Sequence, residues 1–270
     1  MNTSNDNNTE LRIGAVSYLN TKPLVYGLAE MLPAAELVFD YPSRLADALA
    51  AGELDIALVP SAEMFGHPEW SVVSNACIAC RGPVLSVKLL FRVPPSQVRT
   101  LALDEGSRTS AMLSQILLLE VAHVRPQLTT LPLGHEPVDV DADAVLVIGD
   151  RAIRCREEEF VEVWDLGDRW CRWAELPFVF AMWVARPGVD TNLVEKALTE
   201  ARDQGCQNLA EIAREQSLAM QLPYELVFEY LSRNLHFELG VRERRGLELF
   251  HKKAVAHELV PQLCERVARR

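Results

Sequence analysis

Short apolar runs and helical stripes alternate along the chain. Residues 11–16 (LRIGAV) read as a buried strand. A polar loop follows, Ser17-Tyr18-Leu19-Asn20, and then Pro23, which suits the first turn of a helix because its missing N–H is not needed there. Leu24, Gly27, Leu28 and Met31 continue a helical stripe. Residues 36–40 (ELVFD) predict a second strand. Ser43 reads as the N-cap of a short helix through Leu45, Ala48 and Leu49, ended by Gly52. Residues 54–59 (LDIALV) predict a third strand, stopped by Pro60. This order argues for a mainly parallel sheet with helices on its faces. Ligands of such sheets sit at the carboxyl ends of the strands, here Ser17 to Asn20 and Pro60-Ser61.

A long strand-like run at 84–93 (VLSVKLLFRV) ends at Pro94-Pro95. A second alternation follows, with strands at 99–103, 128–133 and 144–148 and a helix at 108–121. Another apolar run, 176–185 (LPFVFAMWVA), is broken by Arg186-Pro187-Gly188, and residues 190–270 are helical in pattern, one helix opening at Pro223 with Leu226, Val227, Tyr230 and Leu231 on one side. The layout predicted is an α/β protein of two lobes. Residues 1–95 form the first lobe, with 1–9 a disordered tail, residues 96–179 form the second, and 180–270 return to the first. The ligand cleft lies between the lobes. A single doubly wound sheet is the alternative; the proline breaks after both crossover runs favour two lobes.

Composition narrows the function classes. The chain has 270 residues, 49% apolar and 24% charged, an ordinary globular balance. No apolar run reaches the roughly 18 residues of a membrane span. The first residues, MNTSNDNNTE, lack a basic-then-apolar export pattern, so the cytoplasm is the expected compartment and the six scattered cysteines are expected to be reduced. Net charge is −11, which argues against a nucleic-acid partner. The basic stretches at 242–245 and 252–253 alternate with Leu247, Phe250 and Ala254 and read as the solvated side of an amphipathic helix. An acidic protein that binds an anion needs local donors against its overall field.

The strongest candidate for such donors is Asp104-Glu105-Gly106-Ser107-Arg108-Thr109-Ser110, which follows a strand and opens a helix. Ser107 or Thr109 caps that helix, and its first-turn amides offer a carboxylate or phosphate site; a plain N-cap explains the same residues equally well. Ser17, Tyr18 and Asn20 supply a hydroxyl, a phenol and an amide past a strand end, although Ser and Asn also favour turns. Gly82-Pro83-Val84-Leu85-Ser86-Val87 enters the first crossover run with Ser86 facing the cleft, or is a strand-entry turn. Gly149-Asp150 sits at another strand end, where Asp150 orients a donor or caps the next segment. Cys77-x-x-Cys80 has no second pair and no neighbouring histidine cluster, which argues against zinc. No dinucleotide, Walker or nucleophile-elbow motif is present, the six histidines form no local ligand pair, and the tryptophans from Trp164 to Trp173 read as packing.

Six segments in order, SYLNTKPLVYGL at 17–28, LDIALVPSAE at 54–63, GPVLSV at 82–87, LDEGSRTS at 103–110, VLVIGD at 145–150 and WAELPFVFAMWVARPG at 173–188, carry a resemblance to chorismate dehydratase of the futalosine route to menaquinone. The resemblance covers nearly all of residues 11–254. It implies a type II periplasmic-binding-protein-like fold, a cytoplasmic enzyme, a small-molecule substrate, and neither metal nor organic cofactor. It implies no nucleic-acid or membrane partner and leaves monomer and homodimer open. Where a serine-rich stretch is expected before GPV, this chain has CIACR at 77–81. The implied reaction removes water from chorismate to give 3-[(1-carboxyvinyl)oxy]benzoate. Asn20 and Ser86 become the catalytic residues. Ser17, Tyr18, Ser61, Val87, Ser107, Arg108, Thr109, Ser110, Gly149 and Asp150 become the substrate-binding set. The rivals are the sister dihydroxynaphthoate synthase, from which the SYLN opening points away, a solute-binding protein, which would need an export signal or lipid-anchor cysteine, and a ligand-sensing regulatory domain.

Overall fold

In the computed structural model, which describes residues 11–260, the alternation becomes two sheets. The proposed tail at 1–9 and Cys264 lie outside the described residues. The first sheet holds β1 (Leu11–Val16), β2 (Ala35–Asp40), β3 (Ile56–Pro60) and β4 (Ser71–Cys80). The second holds β5 (Val87–Phe91), β6 (Thr100–Asp104), β7 (Gln127–Leu131), β8 (Ala144–Ile148) and β9 (Glu162–Asp165). The chain then returns to the first sheet with β10 (Phe178–Ala185) and β11 (His236–Glu238). The strand orders are β11-β4-β10-β3-β1-β2 and β7-β6-β8-β5-β9.

Each sheet has a parallel trio, β2-β1-β3 or β7-β6-β8, extended by antiparallel strands that the chain reaches by crossing over. Val87 pairs with Ile148 and Ala181 with Pro60, so the starts of β5 and β10 lie beside the carboxyl ends of β8 and β3. Six strand ends therefore converge on one edge: those of β1, β3, β6 and β8, and the beginnings of β5 and β10. Both crossings between the sheets, 81–86 and 166–177, run along that edge.

The first crossing point differs from the sequence reading, which places it after the 84–93 run. The apolar run at 84–93 already belongs to the second sheet, so the chain leaves the first sheet at Cys80, before Gly82-Pro83 and well before Pro94-Pro95. The Gly-Pro pair is the break that matters, because β5 must reverse direction to pair antiparallel with β8. Ser43 is not a cap. The helix Pro42–Ala50 starts one residue earlier with Pro42 in its first turn, and Ser43 is buried within it. The helix placed after Pro23 is instead a 3-10 turn, Leu19–Val25, and a single α turn, Leu28–Met31, separated by Gly27 in left-handed conformation.

The core spans both sheets, with β3, β5, β8 and β10 buried at every position. The helix Val241–Ala256 buries Glu243, Gly246, Phe250 and Ala254 while Arg242, Arg244, Arg245 and Lys252 face solvent, as its charge pattern predicts. Cys77 and Cys80 are both buried on β4.

Candidate active site

The converging strand ends enclose a cavity of about 490 Å³, open solvent at its mouth included. Tyr18 and Asn20 enter it from the loop after β1, Ser86 and Val87 from the first crossing, Ser107, Thr109 and Ser110 from the start of the helix Thr109–Leu117, and Gly149 from the end of β8. Val16, Pro42, Pro60, Ile78, Val84, Ile148, Phe180 and Ala181 form its apolar walls. Phe180 is delivered by a β-bulge. Val179 pairs with Ala79 and Ala181 with Ile78, so Phe180 is the extra residue, turned into the cleft.

Four of the residues named from sequence do not line this space. Ser17 is exposed, and its N–H donates to the Asp40 carbonyl at 3.1 Å. Ser61 is fully buried behind the wall, donating to the Val179 carbonyl at 2.7 Å. Arg108 turns away into a second cavity, where it meets Glu63 at 3.1 Å and Asp47 at 2.6 Å. Asp150 sits beneath the SYLN loop and accepts the Leu19 N–H at 3.1 Å. The last three are bridges. Arg108 and Thr109 on the second sheet's side reach Glu63, Asp47 and the Ala62 N–H on the first, and the Ser43 N–H donates to the Gly106 carbonyl at 3.2 Å. These contacts tie the two halves together around the cleft.

At the helix start the two hydroxyls divide between tasks. Ser107 Oγ accepts the Ser110 N–H at 3.1 Å and is the cap. Thr109 Oγ1 accepts from Ala62 at 3.1 Å and joins the halves instead. The remaining first-turn amides have no acceptor within the helix, and the turn opens on the cleft beside the Ser110 hydroxyl.

The loop that presents Ser86 is strained and clamped. Leu85 has φ of 64°, in the left-handed region that costs a branched residue about 1–2 kcal/mol. The Ser86 N–H closes a tight turn on the Val84 carbonyl at 2.7 Å. Asp165, at the end of β9, accepts the N–H groups of Val84 and Leu85 at 3.0 and 2.7 Å, and also caps the helix Leu166–Ala174 through the Asp168 N–H at 3.0 Å. The Ser86 carbonyl accepts the Gly149 N–H at 2.8 Å. Tyr230, which the periodicity places on an ordinary apolar helix face, donates its phenol to Ser86 Oγ at 2.8 Å. Nothing local to residues 223–231 marks that role; the partner lies 144 residues away.

Electrostatically the cavity is neutral. Among its lining residues the one titratable side chain is Tyr18, and burial pushes its phenol upward, with Asp104 adding to the shift. The carboxylates lie behind the wall, each engaged. Asp104 holds the amides of Gly106 and Ile148 at 2.9 and 3.0 Å and the Arg151 guanidinium at 2.7 Å. Burial raises the carboxyls of Asp104, Asp150 and Asp165 above the usual range, partly offset by these donors. The site offers a ligand hydroxyls, amides and a helix start, with no lining imidazole, amine or carboxylate.

Relatives agree with this architecture. A chorismate dehydratase of Thermus thermophilus is 29% identical over 256 residues, covering 88% of this chain and 93% of that protein. A protein of Archaeoglobus fulgidus superposes with a TM-score of 0.76 at 14% identity, covering 93% of this chain and 98% of the other. The periplasmic aliphatic sulphonate binding protein of Escherichia coli superposes with a TM-score of 0.63 at 16% identity, covering 93% and 88%. The fold is therefore the periplasmic-binding-protein-like one that the resemblance implied. Residues 11–256, nearly the whole chain, match the family profile described as menaquinone biosynthesis, and the chain belongs to that family.

Proposed function

We propose that this protein is a chorismate dehydratase, a hydro-lyase converting chorismate to 3-[(1-carboxyvinyl)oxy]benzoate and water for menaquinone synthesis. The observation that carries this reading is the neutral cleft: polar groups suited to hold a small carboxylate, and no protein base among the lining residues. An elimination that makes an aromatic ring suits such a site. A ring proton and the adjacent hydroxyl leave together as one water, so no proton is gained or lost overall. Aromatisation supplies the driving force, and the protein's task is orientation. On this reading the enolpyruvyl carboxylate of the substrate takes the ring proton. Asn20 and Ser86 hold that side chain and the departing hydroxyl, and the helix start at Ser107 to Ser110 holds a carboxylate. The cytoplasm is the compartment this reading carries with it, and no cofactor is required.

Incubating the purified protein with chorismate and following the aromatic product tests the reading. Binding without turnover would instead make this a carboxylate-binding protein, the role its likeness to a sulphonate-binding protein allows. The pH dependence is a sharper check. With no lining histidine and with the Tyr18 and Tyr230 phenols pushed up by burial, no group of the cleft changes charge near neutrality. The kcat profile is expected to be flat from about pH 6 to about pH 9, without a limb near the histidine value of about 6.5. A sharp limb in that window means that a protein acid or base takes part.

Asn20→Ala is expected to lower kcat roughly 10- to 100-fold while the melting temperature shifts by no more than about 3 °C. Asn20 lies in a 3-10 turn, half-buried, and its side-chain oxygen accepts the Thr21 hydroxyl at 3.3 Å. Near wild-type turnover of that variant would remove Asn20 from the mechanism.

A further inference from the structure

We propose that Tyr230 is a positioning residue for this reaction, fixing the hydroxyl of Ser86 so that it presents its free proton to the substrate. The inference rests on the chorismate reading above. Tyr230 is fully buried and does not line the cavity. A buried phenol needs a partner, and here the partner is a cleft side chain rather than backbone. Its single proton goes to Ser86 Oγ, at 2.8 Å. Ser86 Oγ, with one lone pair filled by the phenol, keeps its own proton for an acceptor in the cleft. A serine hydroxyl rotates to suit its surroundings; the phenol removes that freedom and turns Ser86 into a donor aimed at the substrate, where the departing hydroxyl needs one.

The same turn grips the other end of this loop. The helix Tyr224–Glu229 runs on into a π-helical turn, Tyr230–Asn234, and the Asn234 amide donates to the Pro83 carbonyl at 3.0 Å. Such turns interrupt helices at functional sites with some frequency. Residues 83–86 are thus held from the C-terminal helices at both ends, with Asp165 clamping the middle. Burial pushes the Tyr230 phenol up, which favours its protonated, donating form.

The test is a double-mutant cycle on chorismate, with wild type, Tyr230→Phe, Ser86→Ala and the double variant. Phenylalanine fills the same volume. Tyr230→Phe is expected to lower kcat roughly 10- to 100-fold with KM within about threefold of wild type. The shape of the pH profile should be unchanged. Adding Tyr230→Phe to Ser86→Ala should cost less than about twofold more, because a residue acting through Ser86 has nothing left to orient. A Tyr230→Phe kcat within about twofold of wild type, or full multiplication of the two losses, overturns the inference while leaving the chorismate reading intact. Absence of wild-type turnover overturns both. Should Tyr230→Phe fold poorly alone, the double variant against Ser86→Ala still decides, since replacing both partners by apolar groups relieves the unpaired hydroxyl.

Discussion

Asp165→Ala is expected to reduce kcat roughly 100-fold and to cost about 3 kcal/mol of stability. The carboxylate has two jobs that share no other support. It caps the helix Leu166–Ala174, a role worth about 1 kcal/mol. It also accepts two consecutive amides, Val84 and Leu85, whose orientation requires the left-handed backbone at Leu85. Without an acceptor those amides turn toward water, Leu85 relaxes to negative φ, and Ser86 swings with it. A displacement of about 1 Å at a reacting group is enough for a 100-fold loss. Asparagine should rescue poorly, because it keeps one acceptor oxygen and turns an NH2 toward an amide donor. Turnover of chorismate and denaturant unfolding on Asp165→Ala and Asp165→Asn check this. Wild-type kcat in a variant that is measurably destabilised would show that the Leu85 turn holds itself, and the clamp would be only a helix cap.

The clamp also bears on how the buried carboxylates are understood. Three aspartates surround the cleft, and burial raises all three, which is the signature often sought in a general base. Geometry assigns them otherwise. Asp104 is spent on two amides and Arg151, Asp165 on three amides, and Asp150 on the Leu19 N–H that anchors the SYLN loop. Each holds a loop that presents a neutral donor. The result is an inner surface of hydroxyls and amides backed by charged groups that never face the ligand. That arrangement fits a substrate carrying its own base.

Much of this was legible along the chain because the parallel trio of each sheet obeys local rules. β1 follows its apolar run to the residue, and β8 likewise matches 144–148. The helix start at Ser107 was readable because a cap is a local device, a hydroxyl and an amide three residues apart. What escaped was non-local or unpatterned. β4 is the longest strand, but SVVSNACIAC has no alternation, since most of it is buried against β10 and β11. β9 hides in a stretch dominated by charge and tryptophan. The proline break at Pro94-Pro95 suggests a crossing there, whereas pairing of β5 with β8 sets it at Gly82-Pro83, and pairing is invisible in one sequence. Arg108 looked like an anion ligand beside the helix start; only the packing of Glu63 and Asp47 on its far side sends it elsewhere. Tyr230 is the sharpest case, because a phenol in an apolar stripe looks the same whether its oxygen meets water or Ser86.

Gly149→Ala is expected to lower stability by about 3 kcal/mol and kcat by at least roughly 100-fold. Gly149 has φ of 65° and ψ of −147°, a region essentially closed to residues with a side chain. A Cβ there would lie 2.7 Å from the ring of Tyr18, whose position depends on stacking flat over this glycine. The ring cannot retreat freely. It is buried, and its phenol end lies near Gly106, where a Cβ would come within 3.4 Å of the hydroxyl. Relief must come from the backbone, and the Gly149 N–H is bonded to the Ser86 carbonyl. One methyl group therefore disturbs Tyr18 and Ser86 together. Gly52→Ala separates strain from crowding. Gly52 also has positive φ, 75°, but it is exposed, a Cβ there meets nothing within 4 Å, and it does not line the cavity. It should cost about 1 kcal/mol and leave kcat unchanged. Thermal melts and chorismate turnover of the two variants make the comparison. If Gly149→Ala behaved like Gly52→Ala in both, Tyr18 would have room to move without consequence, and the close packing of β8 against the SYLN loop would have no part in catalysis.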